Sequence, residues 1–172
     1  MRVVASAAPG RKVTFLAPPT SLARELLAEE PTIAEVLYFA HGGNEIQRAL
    51  HLFRLVRLLR RCKFQRIYIF DRTTRPAVAA WLAGIPERIG IGLGVQRVWI
   101  TNGGIDPKCI HEHPVGWLTR LMATERLYLP STEPDLRIPA DALAEIDVRF
   151  GALPRPWIVF GLGPRYSRWG KS

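Results

Sequence analysis

Two short stretches of this chain gather the residue types that hold anions. Residues 71–75, Asp-Arg-Thr-Thr-Arg, place a carboxylate, two guanidinium groups and two hydroxyls within five positions. Guanidinium groups grip phosphate or carboxylate oxygens bidentately, and hydroxyls add neutral hydrogen bonds. Arg72, Thr73, Thr74 and Arg75 therefore suit an acceptor or phosphate contact. Asp71 fits either a contact to such a ligand or the plainer task of capping the next helix through backbone N–H bonds. The second stretch is Gly161-Leu162-Gly163, followed by Arg165, Tyr166, Ser167, Arg168 and Trp169. Its glycines permit close backbone approach to a diphosphate, which the guanidinium groups would neutralise.

Three other clusters have plainer readings. Arg54, Arg57, Arg60 and Arg61, with Lys63 and Arg66 close behind, form a basic stripe. It is either a solvated helix face or a contact for an anionic surface or a phosphorylated acceptor. Single-stranded nucleic acid would call for aromatic stacking platforms among the cations, and Phe53 and Phe64 fall at apolar-side or helix-end positions instead. Gly90-x-Gly92-x-Gly94 is one residue short of the dinucleotide fingerprint and reads as a turn. Cys109-Ile110-His111-Glu112-His113 carries metal-ligating types without the spacing of a helical zinc site, and polar loop residues are the simpler account. The two cysteines, Cys62 and Cys109, read as reduced thiols.

The elements that must position these groups follow from periodicity. A β-rich run over 12–17 (KVTFLA) stops at Pro18-Pro19. Thr20 or Ser21 can cap a helix carrying Leu22, Leu26 and Leu27, and Pro31 stops it. A strand is predicted over 35–39 and a long amphipathic helix over 45–62, with Leu52, Leu55, Val56 and Leu59 on its apolar face. The run 66–70 (RIYIF) has the near-continuous apolar character of a strand buried on both faces. Pro76 suits the first turn of a helix that Gly84 ends, and a strand is predicted over 88–93. A helix falls within 113–129 and another over 140–150. After Pro154-Arg155-Pro156 a new strand, WIVF over 157–160, runs into the second anion-binding stretch. Alternating strands and helices imply an α/β fold with a Rossmann-like parallel sheet and helices on both faces. The Pro-Arg-Pro break divides the chain into a domain over 1–153 and the opening of a second over 154–172.

Composition agrees with such a fold. The chain has 172 residues, 48 % hydrophobic and 23 % charged, which is enough apolar material for a core and excludes disorder throughout. No apolar run nears the roughly 18 residues a bilayer crossing requires, and the first residues lack a secretory apolar core. A cytoplasmic location is expected. Lys and Arg total 24 against 15 Asp and Glu, a net charge of +9, so the partner or working surface is expected to be anionic.

Three segments resemble one family, the bacterial ADP-heptose:lipopolysaccharide heptosyltransferases of glycosyltransferase family 9. KVTFLAPPTSLARELLAEEPTIAEVLYF (12–39) is similar to the family's strand, helix, proline, strand segment. DRTTRPAVAAWLAGIPERIGIGLG (71–94) resembles its Arg-Ser-Ala, Leu-Ala-Gly-Ile, Arg-x-Gly block. PWIVFGLGPRYSRWGKS (156–172) is similar to the strand that opens its nucleotide-sugar domain. The resemblance implies the N-terminal half of a glycosyltransferase-B type fold, incomplete because the chain begins after the family's first strand–helix unit and ends early in the second domain. It implies inverting transfer of heptose from ADP-heptose to the lipopolysaccharide inner core, without a metal or other cofactor, at the cytoplasmic face of the inner membrane. Arg72, Thr73, Thr74 and Arg75 would bind the acceptor, and Gly161, Gly163, Ser167 and Arg168 the donor phosphates. The family's general base belongs to a Gly-Asp turn. Residues 1–10 hold no Asp, so no catalytic residue is assigned, and little transferase activity is expected of this chain alone. Two other readings stand beside this one. One is a non-catalytic basic α/β module that uses the arginine stripe on an anionic surface or nucleic acid. The other is an unstable remnant, in which loss of an interior strand exposes two sheet edges.

Overall fold

The structure is a computed structural model and describes residues 2–7, 10, 12–40, 42–129, 131 and 137–154. Its contacts divide the chain into two units, Met1–Arg137 and Ile138–Ser172. In the first unit the strands are β1 (Val13–Ala17), β2 (Ile33–Tyr38), β3 (Arg66–Ile69), β4 (Glu87–Gly90) and β5 (Asn102–Gly103). The helices are α1 (Arg2–Ser6), α2 (Ala23–Leu26), α3 (Glu45–Cys62), α4 (Arg75–Leu82) and α5 (Pro114–Thr124). Two 3-10 turns, Gly94–Val98 and Pro107–His111, lie between β4 and α5. In the second unit the described element is α6 (Ala140–Phe150), none of whose residues is buried.

All strand pairs are parallel, as the α/β alternation requires, but they form two sheets. One is β1-β2 and the other β3-β4-β5. The parallel Rossmann-like arrangement is as expected, though among the described residues no ladder joins β1 to β3. Helices nevertheless cover both faces of the larger sheet. Ile67 packs with Leu55, Val56 and Leu59 of α3 and Ala79 and Ala80 of α4. The next residue, Tyr68, packs on the opposite face with Trp117, Leu121 and Met122 of α5 and with Ile89, Ile91 and Ile105. Leu16 of β1 joins the α3/α4 cluster, so the two sheets share one helical layer.

Local chemistry explains most boundaries. Asn44 starts α3: its side chain accepts from the Gln47 N–H at 2.9 Å, and the Gln47 side chain accepts from the Asn44 N–H at 3.1 Å. Pro76 sits in the first turn of α4, and Gly84, at φ +79°, turns the chain after it. Two expectations need correction. Ser21 does not cap α2; its hydroxyl bonds the Pro18 carbonyl, and α2 spans only four residues. The run 66–70 is covered on both faces but not fully buried: Ile69 is buried, Ile67 and Tyr68 are half-buried, and Arg66 and Phe70 are exposed, β3 having a ladder partner on one side only among the described residues.

Candidate functional site

Residues 71–75 leave the carboxyl end of β3 and enter α4, the position where open α/β sheets hold ligands. The loop is built tightly. An Asp71 carboxylate oxygen accepts from the Thr73 N–H at 2.8 Å, so the acid folds its own loop and leaves the helix N-cap to Thr74. The Thr74 side chain makes no capping bond. Below the loop lies Gln96, which is fully buried. Its Nε2 donates to the carbonyls of Asp71 at 2.7 Å and Thr73 at 2.8 Å, and its Oε1 accepts from the Gly92 N–H at 2.7 Å. One amide thus satisfies three backbone groups from two loops. Its own burial costs little because both ends are bonded.

Arg72, Thr73, Thr74 and Arg75 come together in this turn. Arg72, Thr73 and Arg75 are exposed and Thr74 is half-buried. The Arg72 guanidinium lies 5.0 Å from the centre of the Trp117 ring. Trp117 is itself held by α5 and by its indole N–H, which donates to the Cys109 carbonyl at 2.6 Å. A cation stacked on a fixed ring keeps its edge N–H groups free and loses less freedom on binding. The result is a cationic, hydroxyl-bearing rim on a rigid base, suited to an anionic polyol. The structure adds two residues that sequence reasoning missed, Gln96 and Trp117. Gln96 gave a weak signal, a polar residue inside the apolar stretch from 89 to 100. Trp117 gave none, since 45 positions of chain separate it from Arg72.

The remaining clusters resolve differently. Gly90, Gly92 and Gly94 serve turns and close packing. Gly92 has φ +70°, and a Cβ there would lie 2.8 Å from Ile100 and 2.9 Å from Gly104. Glu112 is paired with Arg120 through bonds of 2.8 and 3.0 Å. The Arg120 guanidinium, helped by the Cys109 thiol, holds its carboxyl below the usual range. Burial, reinforced by Glu112, pushes the Cys109 thiol up, so it is a poor thiolate. His113 caps α5 through a ring nitrogen that accepts from the Val115 N–H at 3.3 Å. On α3, Arg54, Arg57, Arg60 and Arg61 are exposed, and Arg60 also donates to the Leu82 carbonyl at 2.8 Å. Phe53 is not on the buried side of α3. It is 64 % exposed and, at helical spacing, lies among the arginines. No helix among the described residues is long and apolar enough to cross a membrane. Gly161, Gly163, Ser167 and Arg168 lie outside the described residues.

No protein-family model and no curated protein matches the chain. Among solved structures it is similar to the ADP-heptose LPS heptosyltransferase II of E. coli, with a TM-score of 0.61 and 19 % sequence identity. The match covers 87 % of this chain and 44 % of that one, so the chain spans less than half of its structural relative. At that identity the likeness is one of fold: a partial Rossmann-like α/β architecture of the kind found in a glycosyltransferase.

Proposed function

We propose that this chain is the acceptor-side part of a glycosyltransferase of the glycosyltransferase-B type, one that moves heptose from ADP-heptose to the lipopolysaccharide inner core. The observation that carries this reading is the 71–75 turn, a rigid rim of two arginines and two threonines at the carboxyl end of a parallel strand. The fold likeness to a heptosyltransferase supports it. In this reading Arg72 and Arg75 neutralise phosphate groups on the acceptor sugar, while Thr73 and Thr74 bond its hydroxyls. Gly161, Gly163, Ser167 and Arg168 hold the donor diphosphate, and the domain opening at residue 154 is the donor side. Peripheral contact with the anionic inner-membrane face brings the acceptor to the rim.

The test is binding to the 71–75 turn. Calorimetric titration with phosphorylated inner-core oligosaccharide should show saturable affinity. Arg72→Ala with Arg75→Ala should weaken it by roughly a hundredfold, two charge-assisted contacts at about 1.5 kcal/mol each. Unchanged affinity in the double variant would remove the acceptor assignment.

A second reading rests on the exposed face of α3, where Phe53 stands among Arg54, Arg57 and Arg61. An aromatic ring between cations is what polyanion or membrane-surface contact uses. Steep salt dependence of binding to generic polyanions, with no preference for sugar, would favour a basic binding module.

A further inference from the structure

A surface helix ordinarily turns polar residues outward. The first half of α3 does the reverse. At about 100° per residue, Ile46 and Leu50 stand opposite Leu55 and Leu59, which are buried in the α3/α4 cluster. Ile46, Leu50 and Phe53 follow one another at steps of four and three residues and so form one outward stripe. Ile46 is 77 % exposed and Phe53 64 %, far outside the range of a partly covered core. Beyond Phe53 the stripe continues as Arg57, with Arg54 and Arg61 on one flank and Arg60 on the other, all exposed.

α4 extends this surface. Arg60 donates to the Leu82 carbonyl at 2.8 Å, which joins the C-terminal ends of the two helices. α4 buries Ala77, Ala79 and Ala80 and leaves Arg75, Trp81 and Leu82 exposed. The Trp81 ring meets that of Trp99 edge-on at 4.9 Å, and Val98 beside Trp99 is exposed. The two helices carry six arginines, and their one carboxylate, Glu45, is paired with Arg48. The surface therefore combines apolar groups with uncompensated positive charge. Its direction is set by β3. α3 covers that strand and ends at its amino end, so the first turns of α3 lie toward the carboxyl end, where the 71–75 rim is.

We propose that the outward face of α3 and α4 docks on an anionic phospholipid bilayer. Ile46, Leu50, Phe53 and Trp81 enter the headgroup region, the arginines bind lipid phosphates, and the 71–75 rim stands at the membrane surface. The inference rests on the second reading above, that the exposed face of α3 is a basic binding surface, and it names the partner. Composition selects that partner. Nucleic acid stacks on aromatic rings and gains nothing from Ile46 or Leu50. A bilayer interface uses every group present: alkyl chains and rings reach the acyl boundary, while guanidinium groups stay among the phosphates. The net charge of +9 adds attraction to the same anionic surface.

The probe is vesicles of equal parts phosphatidylglycerol and phosphatidylcholine, sedimented with the full chain. Binding is expected, absent on phosphatidylcholine alone and weakened by added salt. Leu50→Ser with Phe53→Ser should weaken it roughly tenfold or more, because less apolar area leaves water. Arg54→Gln with Arg57→Gln should weaken it roughly tenfold as well. All four side chains are exposed, so both variants should keep the parent circular dichroism. Tyr128→Ser should change nothing, because Tyr128 is as exposed as Ile46 but its neighbours Leu127 and Leu129 pack on the α5 side. Vesicles of dibrominated phosphatidylglycerol should quench tryptophan fluorescence, and Trp81→Phe should reduce the quenched share. Heparin is the second probe. Affinity for heparin without affinity for vesicles, or vesicle binding unchanged by Leu50→Ser with Phe53→Ser, would overturn the lipid partner and leave the basic surface. Affinity for neither would overturn both. An equal loss in Tyr128→Ser would remove the assignment to this face, and self-association abolished by Leu50→Ser with Phe53→Ser would give the face to a second copy of the chain.

Discussion

β4 and β1 are both short parallel strands, yet they live in different surroundings. Ile89 and Gly90 of β4 are buried, with β3 on one side and β5 on the other. Gly90 and Gly103 approach so closely that a Cβ on Gly103 would lie 2.7 Å from the Gly90 carbonyl and from Leu121. In β1, Val13, Thr14, Phe15 and Leu16 are all half-buried, and only Ala17 is fully covered. Beside it α2 is four residues long and leaves Leu22 and Leu26 exposed. Parallel strands need cover on both faces and partners on both edges before apolar residues repay their ordering. β4, with a strand on each side, meets those conditions, and β1 meets half of them. The 71–75 turn follows β3, whose ladder to β4 runs the length of the strand.

The contrast can be broken most directly by truncating one side chain on each side. Leu121→Ala should cost about 3 kcal/mol, because a fully buried side chain leaves a cavity behind, whereas Leu16→Ala should cost about 1 kcal/mol. Equal losses in urea denaturation would end the distinction between the sides. Next in size is Gln96→Leu, which strands the Asp71 and Thr73 carbonyls and the Gly92 N–H and should cost about 2 kcal/mol. It should also loosen the 71–75 turn, seen as faster amide exchange at Thr73. Asn44→Ala removes half of the α3 capping box and should cost about 1 kcal/mol in the same denaturation assay.

The smallest effect is the share of the pH dependence that Glu30 contributes on the β1-β2 side. Burial alone would raise the Glu30 carboxyl, but bonds from Thr32 and the Arg2 ion pair at 2.9 Å bring it below its ordinary value. The folded pKa is depressed, so this stabilisation is fully present above the unfolded value of about 4.3 and is lost as pH falls through the folded one. Glu30→Gln should flatten that part of the acid-unfolding curve. An unchanged acid limb in the variant would remove Glu30 from the account.

Much of the architecture was legible along the chain because the relevant forces are local. The 45–62 helix matches α3 residue for residue, since its apolar spacing was strong, and the helix placed around 140–150 coincides with α6. The strand expected over 88–93 ended at Gly90, two residues before Gly92 takes the left-handed backbone, φ +70°, that turns the chain. The turn at 71–75 was legible from composition, while its foundations were not. Gln96 and Trp117 act through contacts 23 to 45 positions away, and no spacing rule encodes those.

The sequence by itself determined the alternation of strands and helices, their parallel sense, the apolar face of α3 and the anion-seeking chemistry of residues 71–75. Each follows from periodicity, turn residues or side-chain type, which a single segment carries alone. Only the tertiary structure decided that the described strands pair as β1-β2 and β3-β4-β5, that Asp71 folds its own loop, and that Arg72 rests on Trp117. Those outcomes depend on which distant segments arrive beside each other. An apolar run such as RIYIF reads the same whichever strand lies beside it.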